Sequence, residues 1–146
     1  MSRWFGMGVH YGAFIGVGNT PVWSIFRDNQ IACNGHSRGA RHNIDKIMDE
    51  IRYGDYIVLK SFSPGTGMCV YGIGEVVGMN TYNFPIPDGY DNQCIKLNWI
   101  LRSVDDDYVK NFRILVGGHY SEQLFELNGN AIAEISVWLN DIGIRV

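Results

Sequence analysis

Lys60, Ser61 and Phe62 close the segment RYGDYIVLKSF, which runs from Arg52 to Phe62. An amine, a hydroxyl and an aromatic ring follow one another directly after an apolar run, Tyr56-Ile57-Val58-Leu59. The trio suits two kinds of chemistry. It could hold a flat heterocycle, the ring stacking while the two polar groups meet its edge. Alternatively, Lys60 in a part-apolar pocket would have a lowered pKa and could act as base or nucleophile. Glu75 on the next strand would assist, and an amidohydrolase acting on a modified nucleobase would be the nearest analogue. More rings accompany the trio: Trp4 near the start, His10 and Tyr11 in a Gly-rich stretch, Trp23 and Phe26, and Trp99. Flat rings on two sides with hydrogen-bonding groups between them make a slot for a base. Core packing is the competing reading of each ring, since large rings are usually buried, and a strand emerging into solvent is the competing reading of Lys60-Ser61-Phe62.

Common catalytic signatures do not account for the sequence. GIGEVVG, from Gly72 to Gly78, lacks the third glycine of a dinucleotide fingerprint and lies within a predicted strand. It reads as a strand with sharp bends. There is no P-loop and no G-x-S-x-G elbow. His36 and His42 are six apart without a partner ligand at metal spacing. Asp105-Asp106-Asp107 reads as a solvated helix start. No cofactor or metal is implied.

The elements that must position the trio follow from periodicity. A first strand is predicted over 3–9 and a loop over 11–19. Thr20-Pro21 looks like an N-cap and first turn of a helix ending near Asn29. A brief strand over 30–34 and the basic loop HSRGARH come next. Asn43 caps a second helix whose stripe is Ile44, Ile47, Met48 and Ile51. Strands over 56–62 and 68–79 form a hairpin. The aromatic loop with Tyr82, Phe84 and Tyr90 could instead dock on protein. A strand over 94–101, a further one over 113–116 and a helix capped by Asn130, with Ile132, Ile135 and Leu139 on one face, complete the chain.

The chain has 146 residues, which suits one domain, and its 46% hydrophobic content is that of a globular protein. A net charge of -3 argues against coating long nucleic acid, although a pocket for one nucleotide needs no such charge. Cys33, Cys69 and Cys94 form no C-x-x-C pair; three free thiols in a reducing cytoplasm are expected. No segment is apolar enough for a membrane helix.

The motifs RWFGMG, PVWSIFRDNQIACNG, RYGDYIVLKSF, YGIGEVVG and KLNWI together resemble the EVE-like branch of the PUA-like superfamily, whose relatives include ASCH, SRA-like and YTH domains. The resemblance covers roughly residues 3–101 of a single domain spanning 1–146; residues 105–146 form a mixed C-terminal extension that matches none of these motifs. It implies an α+β fold, a PUA-like bent β-barrel flanked by short helices, with a pocket for a modified base in DNA or RNA, or for a free or cyclic nucleotide. On that pattern Trp4, His10, Tyr11, Trp23, Lys60, Ser61 and Phe62 would bind the ligand, and Arg38 and Arg41 would meet phosphate. The ASCH-type pattern G-x-K-x-x-E-x-R is absent, so hydrolysis is not implied. A homo-oligomer is compatible with the sequence.

Overall fold

Residues 2–11, 20–35, 39, 41–63, 66–82, 93–113 and 123–146 are described by the computed structural model. Strand β1, Trp4–Gly8, runs parallel to β5, Tyr56–Ser63, with Trp4 opposite Tyr56 and Gly8 opposite Lys60. The expected hairpin is present: β5 turns into β6, Gly67–Tyr82, a strand of 16 residues and longer than predicted. Gly67 makes the turn at φ +91, a conformation that L side chains avoid. Strand β7, Cys94–Arg102, pairs with β6, and β4, Ile31–Cys33, pairs with β7. On the other flank β9, Leu124–Glu126, pairs antiparallel with β1, and the edge strand β8, Lys110–Phe112, pairs with the start of β6. The sheet order is β4-β7-β6-β5-β1-β9, with β8 branching from β6.

Side-chain alternation splits this sheet into two buried faces. Phe5, Met7, Ile57 and Leu59 join one core with Trp23 and Phe26 of α1, Trp23–Asn29, and Ile44 and Met48 of α2, His42–Glu50. Trp4, Val58, Val70 and Phe125 join the other, beneath Ala131, Ile135 and Leu139 of α3, Gly129–Asp141. The bends of β6 fall where its glycines are. Its register with β7 shifts at Gly74 and again around Gly78. Gly72 also makes room for a ring: a Cβ there would lie 2.5 Å from the Trp23 indole. GIGEVVG is therefore a bent strand that admits Trp23, as its position within a strand predicts.

Several local expectations are corrected. Thr20-Pro21 forms a two-residue strand, β3, against β2, His10–Tyr11, and the first helix starts at Trp23 after Val22. The pairing wins because Val22 N–H donates to Val9 O at 2.8 Å and continues the ribbon. Asn43 lies inside α2, which Arg41 precedes without a side-chain cap. The cap of α3 is Asn128, whose Oδ1 accepts from Ala131 N at 2.9 Å, in place of Asn130. Asp105 to Asp107 form a bend; the Asp105 carbonyl accepts from Arg27 Nη1 at 2.8 Å. A strand that was not expected, β8, lies at Lys110–Phe112; of the strand expected over 113–116 only Arg113, a bend, falls in the described part. The expectation of three free thiols also fails. Cys33 and Cys94 face each other across β4 and β7 with Cα atoms 4.1 Å apart and are joined as a disulfide; Cys69 is a buried free thiol.

Asp55 explains the Gly-Asp of RYGDY. Gly54 takes φ +85. The buried Asp55 carboxylate then accepts from Arg3 N at 2.9 Å and Arg52 N at 2.8 Å, which fixes where β1 and β5 begin. The pairing of the two strands consequently ends at Gly8 opposite Lys60, and β5 runs on to Ser63.

Candidate functional site

A cavity of about 510 Å³ opens where β1 and β5 end and β6 begins. Its wall includes His10, Lys60, Ser61 and Phe62, four of the residues expected from sequence, together with Tyr71, Tyr108 and Gln123. The register explains the meeting. Ser61 pairs with Cys69 on β6, so Tyr71 stands two residues further on, on the same face. Ser61 Oγ and Tyr71 Oη lie 3.2 Å apart. His10 is carried past the end of β1, where Val9 N–H donates to Lys60 O at 2.9 Å.

Three rings turn edges toward one another around Tyr71. Its centroid lies 6.3 Å from that of His10 and 6.3 Å from that of Tyr108, both near perpendicular. Tyr108 is 46% exposed and Phe62 37%, so both present ring surface to a ligand. Lys60 is only 3% exposed, and its Nζ sits 5.2 Å from the Phe125 ring centroid. Gly6 makes that arrangement possible, because a Cβ on it would lie 2.6 Å from the Phe125 ring. Gln123 is held by Gly8: its Nε2 donates to Gly8 O at 3.2 Å, and its backbone carbonyl accepts from Gly8 N at 2.8 Å.

The electrostatics favour neutral rings beside a cation. Burial lowers the His10 pKa below its ordinary 6.5, so the imidazole is neutral at pH 7 and can donate at one nitrogen and accept at the other. Burial raises the Tyr71 pKa, partly opposed by the bond to Ser61, so the phenol keeps its proton. No carboxylate lies among the described residues of the wall. Cation, neutral donors and ring faces together can hold an electron-rich flat group by its edge and its face.

The remaining expected residues do not meet there. Trp4 is 6% exposed and packs in the α3-side core at 4.6 Å from the Tyr56 ring. Trp23 is 3% exposed; its Nε1 donates to Ser103 Oγ at 2.7 Å, and its ring lies behind Tyr71 at 6.0 Å. Both were expected to wall the ligand; both are core rings, because their strand and helix turn them inward. Phe26 is fully buried, and Trp99 packs edge-on against Trp23 at 5.2 Å. Glu75 pairs with Tyr56, four residues before Lys60 and so about 13 Å along the strand; the expected Lys60–Glu75 pair does not assemble in the cavity. Arg41 is exposed ahead of α2 and is not part of the wall. The backbone of Tyr11 pairs with Thr20, while its side chain, like Arg38, Phe84 and Tyr90, lies outside the described part.

Sequence reasoning missed Tyr71, Tyr108 and Gln123. Tyr71 could have been found by extending the hairpin register from Ser61. Tyr108 and Gln123 arrive from segments remote in sequence and carry no local signal. Among the described residues no group of His, Cys, Asp and Glu is placed to hold a metal, and no helix is long and apolar enough to cross a membrane.

No protein-family model matches the chain, and no curated protein matches it. Solved structures do. The chain is similar to the Mmi1 YTH domain with a TM-score of 0.58 and 13% identity, over 97% of this chain and 76% of that one. It is similar to a complex of YTH domain-containing protein mmi1 and RNA with a TM-score of 0.53 and 13% identity, over 97% and 87% of the two chains. A further Mmi1 YTH domain complex with RNA gives 0.50 and 12%, over 98% and 82%. What these likenesses show is a fold: an α+β domain with a curled mixed sheet and, among the described residues, three short helices, similar in arrangement to a YTH domain.

Proposed function

We propose that this protein is a non-catalytic reader that seats one base, in the fullest form of the reading a modified one, in the cavity at the ends of β1 and β5. The observation that carries the reading is the wall itself: Tyr108 and Phe62 offer ring faces, while Lys60, Ser61 and His10 offer hydrogen bonds between them. The ring would stack on Tyr108 and its edge would meet Lys60 and Ser61. Glu75, the residue expected to assist Lys60, lies about 13 Å along the strand, which favours holding over the Lys60–Glu75 chemistry. Single-stranded RNA is the partner the reading favours, since two similar folds are RNA complexes. GDYIVLKSF joined to GIGEVVG further supports a place beside the EVE-like branch.

Titration of labelled single-stranded RNA against the wild type and Tyr108→Ala tests this. Stacking is worth about 1–3 kcal/mol per base, so Tyr108→Ala is expected to weaken binding roughly 5- to 150-fold. Tyr108 is half exposed, so the variant should stay folded. Unchanged affinity would refute the site. The salt dependence identifies the ligand class: a steep fall with salt marks a polymer, and a shallow one a free or cyclic nucleotide.

A further inference from the structure

A second cavity, of about 500 Å³, lies between β8 and α3. Strand β8 lines it and also touches the wall of the first cavity. Asn111 sends its Nδ2 to Thr66 O at 2.7 Å and to Cys69 Sγ at 3.4 Å, both residues of the first wall. Phe112 instead packs edge-on against Trp138 of α3, with ring centroids 5.7 Å apart.

Three features of the second wall point to a ligand. Trp138 is only partly buried and gives a flat apolar surface. Lys110 and Arg113 bring two cations to the β8 side, and Lys110 Nζ rests 5.7 Å from the Phe112 ring centroid. The third feature is Glu134, which shares a helix face with Trp138 and Asp141 at i, i+4 and i+7. Its Oε2 is sealed from solvent and has no hydrogen-bond partner among the described residues. A buried polar atom without a partner calls for an explanation. A carboxylate oxygen only accepts when ionised, so the missing partner is a donor. A ligand that satisfies all three features has a flat ring, an N–H edge and an anionic group. A nucleotide whose base carries an exocyclic amino group is such a ligand. The wall sets two cations, Lys110 and Arg113, against two carboxylates, Glu134 and Asp141, so it favours a ligand that carries both an anionic group and N–H donors over a purely basic peptide.

We infer that the β8–α3 cavity is a subsite for the neighbouring nucleotide of the same strand, selecting a base with an exocyclic amino group through Glu134. This rests on the reading of the first cavity as a base site. The strand would cross the edge strand β8, its phosphate meeting Lys110 and Arg113 while the base lies on Trp138. Cytosine offers its amino group to a carboxylate; uracil places a carbonyl at the same position, against the negative charge.

The test uses the full chain and two labelled eight-nucleotide RNAs, one all cytidine and one all uridine, at one fixed salt concentration. Wild type is expected to prefer the cytidine RNA. Glu134→Gln, which keeps the shape, removes the charge and adds an amide donor, is expected to weaken cytidine binding about tenfold and to strengthen uridine binding, so that the preference for cytidine is lost. Arg113→Ala is expected to weaken both RNAs alike. Equal wild-type binding of the two RNAs, or a cytidine preference that survives Glu134→Gln, overturns the subsite while leaving the first cavity's reading intact. If the wild type binds neither RNA, the subsite falls, since it needs an RNA strand on the protein, and the first cavity's reading is decided by the Tyr108→Ala titration alone. If both bind but Tyr108→Ala has no effect, the first reading falls, and the subsite falls with it.

Discussion

Trp23→Ala is expected to lower stability by about 3–5 kcal/mol, the range for deleting a large buried ring, with any loss of binding following from that. The indole is 3% exposed and lies within the space that Gly72 leaves open on β6. It also supports the site from behind, since its ring contacts both Tyr71 and Trp99. Deleting it opens a cavity and leaves Ser103 Oγ without its donor, although that hydroxyl keeps its own bond to Asp105 O at 2.9 Å. For a domain of ordinary stability, about 5–15 kcal/mol, the loss is a large fraction of the total. Urea denaturation measures it directly. Trp23→Phe should recover most of the packing but not the hydrogen bond, and should fall between the two. A change below about 1 kcal/mol, with lost ligand binding, would return Trp23 to the role of ligand wall.

Removing the Cys33–Cys94 disulfide should have an effect of similar size. The bridge closes a loop of 61 residues between the edge strand β4 and its neighbour β7. Chain-entropy arguments give about 4 kcal/mol for a loop of that length. Both half-cystines are fully buried, so replacing them also loses packing. The double variant Cys33→Ala, Cys94→Ala should therefore show a much lower urea midpoint than the oxidised wild type. Wild type treated with a reductant while unfolded should refold to the same low midpoint. Equal midpoints for all three would show that the bridge contributes nothing to stability. Because the bridge lies at the far edge from β9, the cavity wall is not touched directly.

These two expectations mark where the sequence was readable and where it was not. Lys60-Ser61-Phe62 was legible because a Gly-Asp turn, an apolar run and a polar end fix where a strand starts and stops; Asp55 does anchor that start, and the trio does reach the cavity. The α2 stripe was legible for the same reason, its period being local. Trp23 was not, because whether an aromatic faces core or cavity depends on the rotation of a helix against a distant sheet. The hollow that receives it is made by Gly72, about fifty residues away. The disulfide was equally hidden: Cys33 and Cys94 meet only through the β4–β7 register, which no spacing encodes. Tyr108 and Gln123 share that cause, being delivered to the site by segments on either side of edge elements.

The most direct test of the base site is a backbone amide NMR titration of the labelled protein with single-stranded RNA. The largest shifts are expected at His10, Lys60, Ser61, Tyr71, Tyr108 and Gln123, with Trp4 and Glu75 little changed. Shifts absent from all six wall residues while others move, or no shift with any RNA, would contradict the base site.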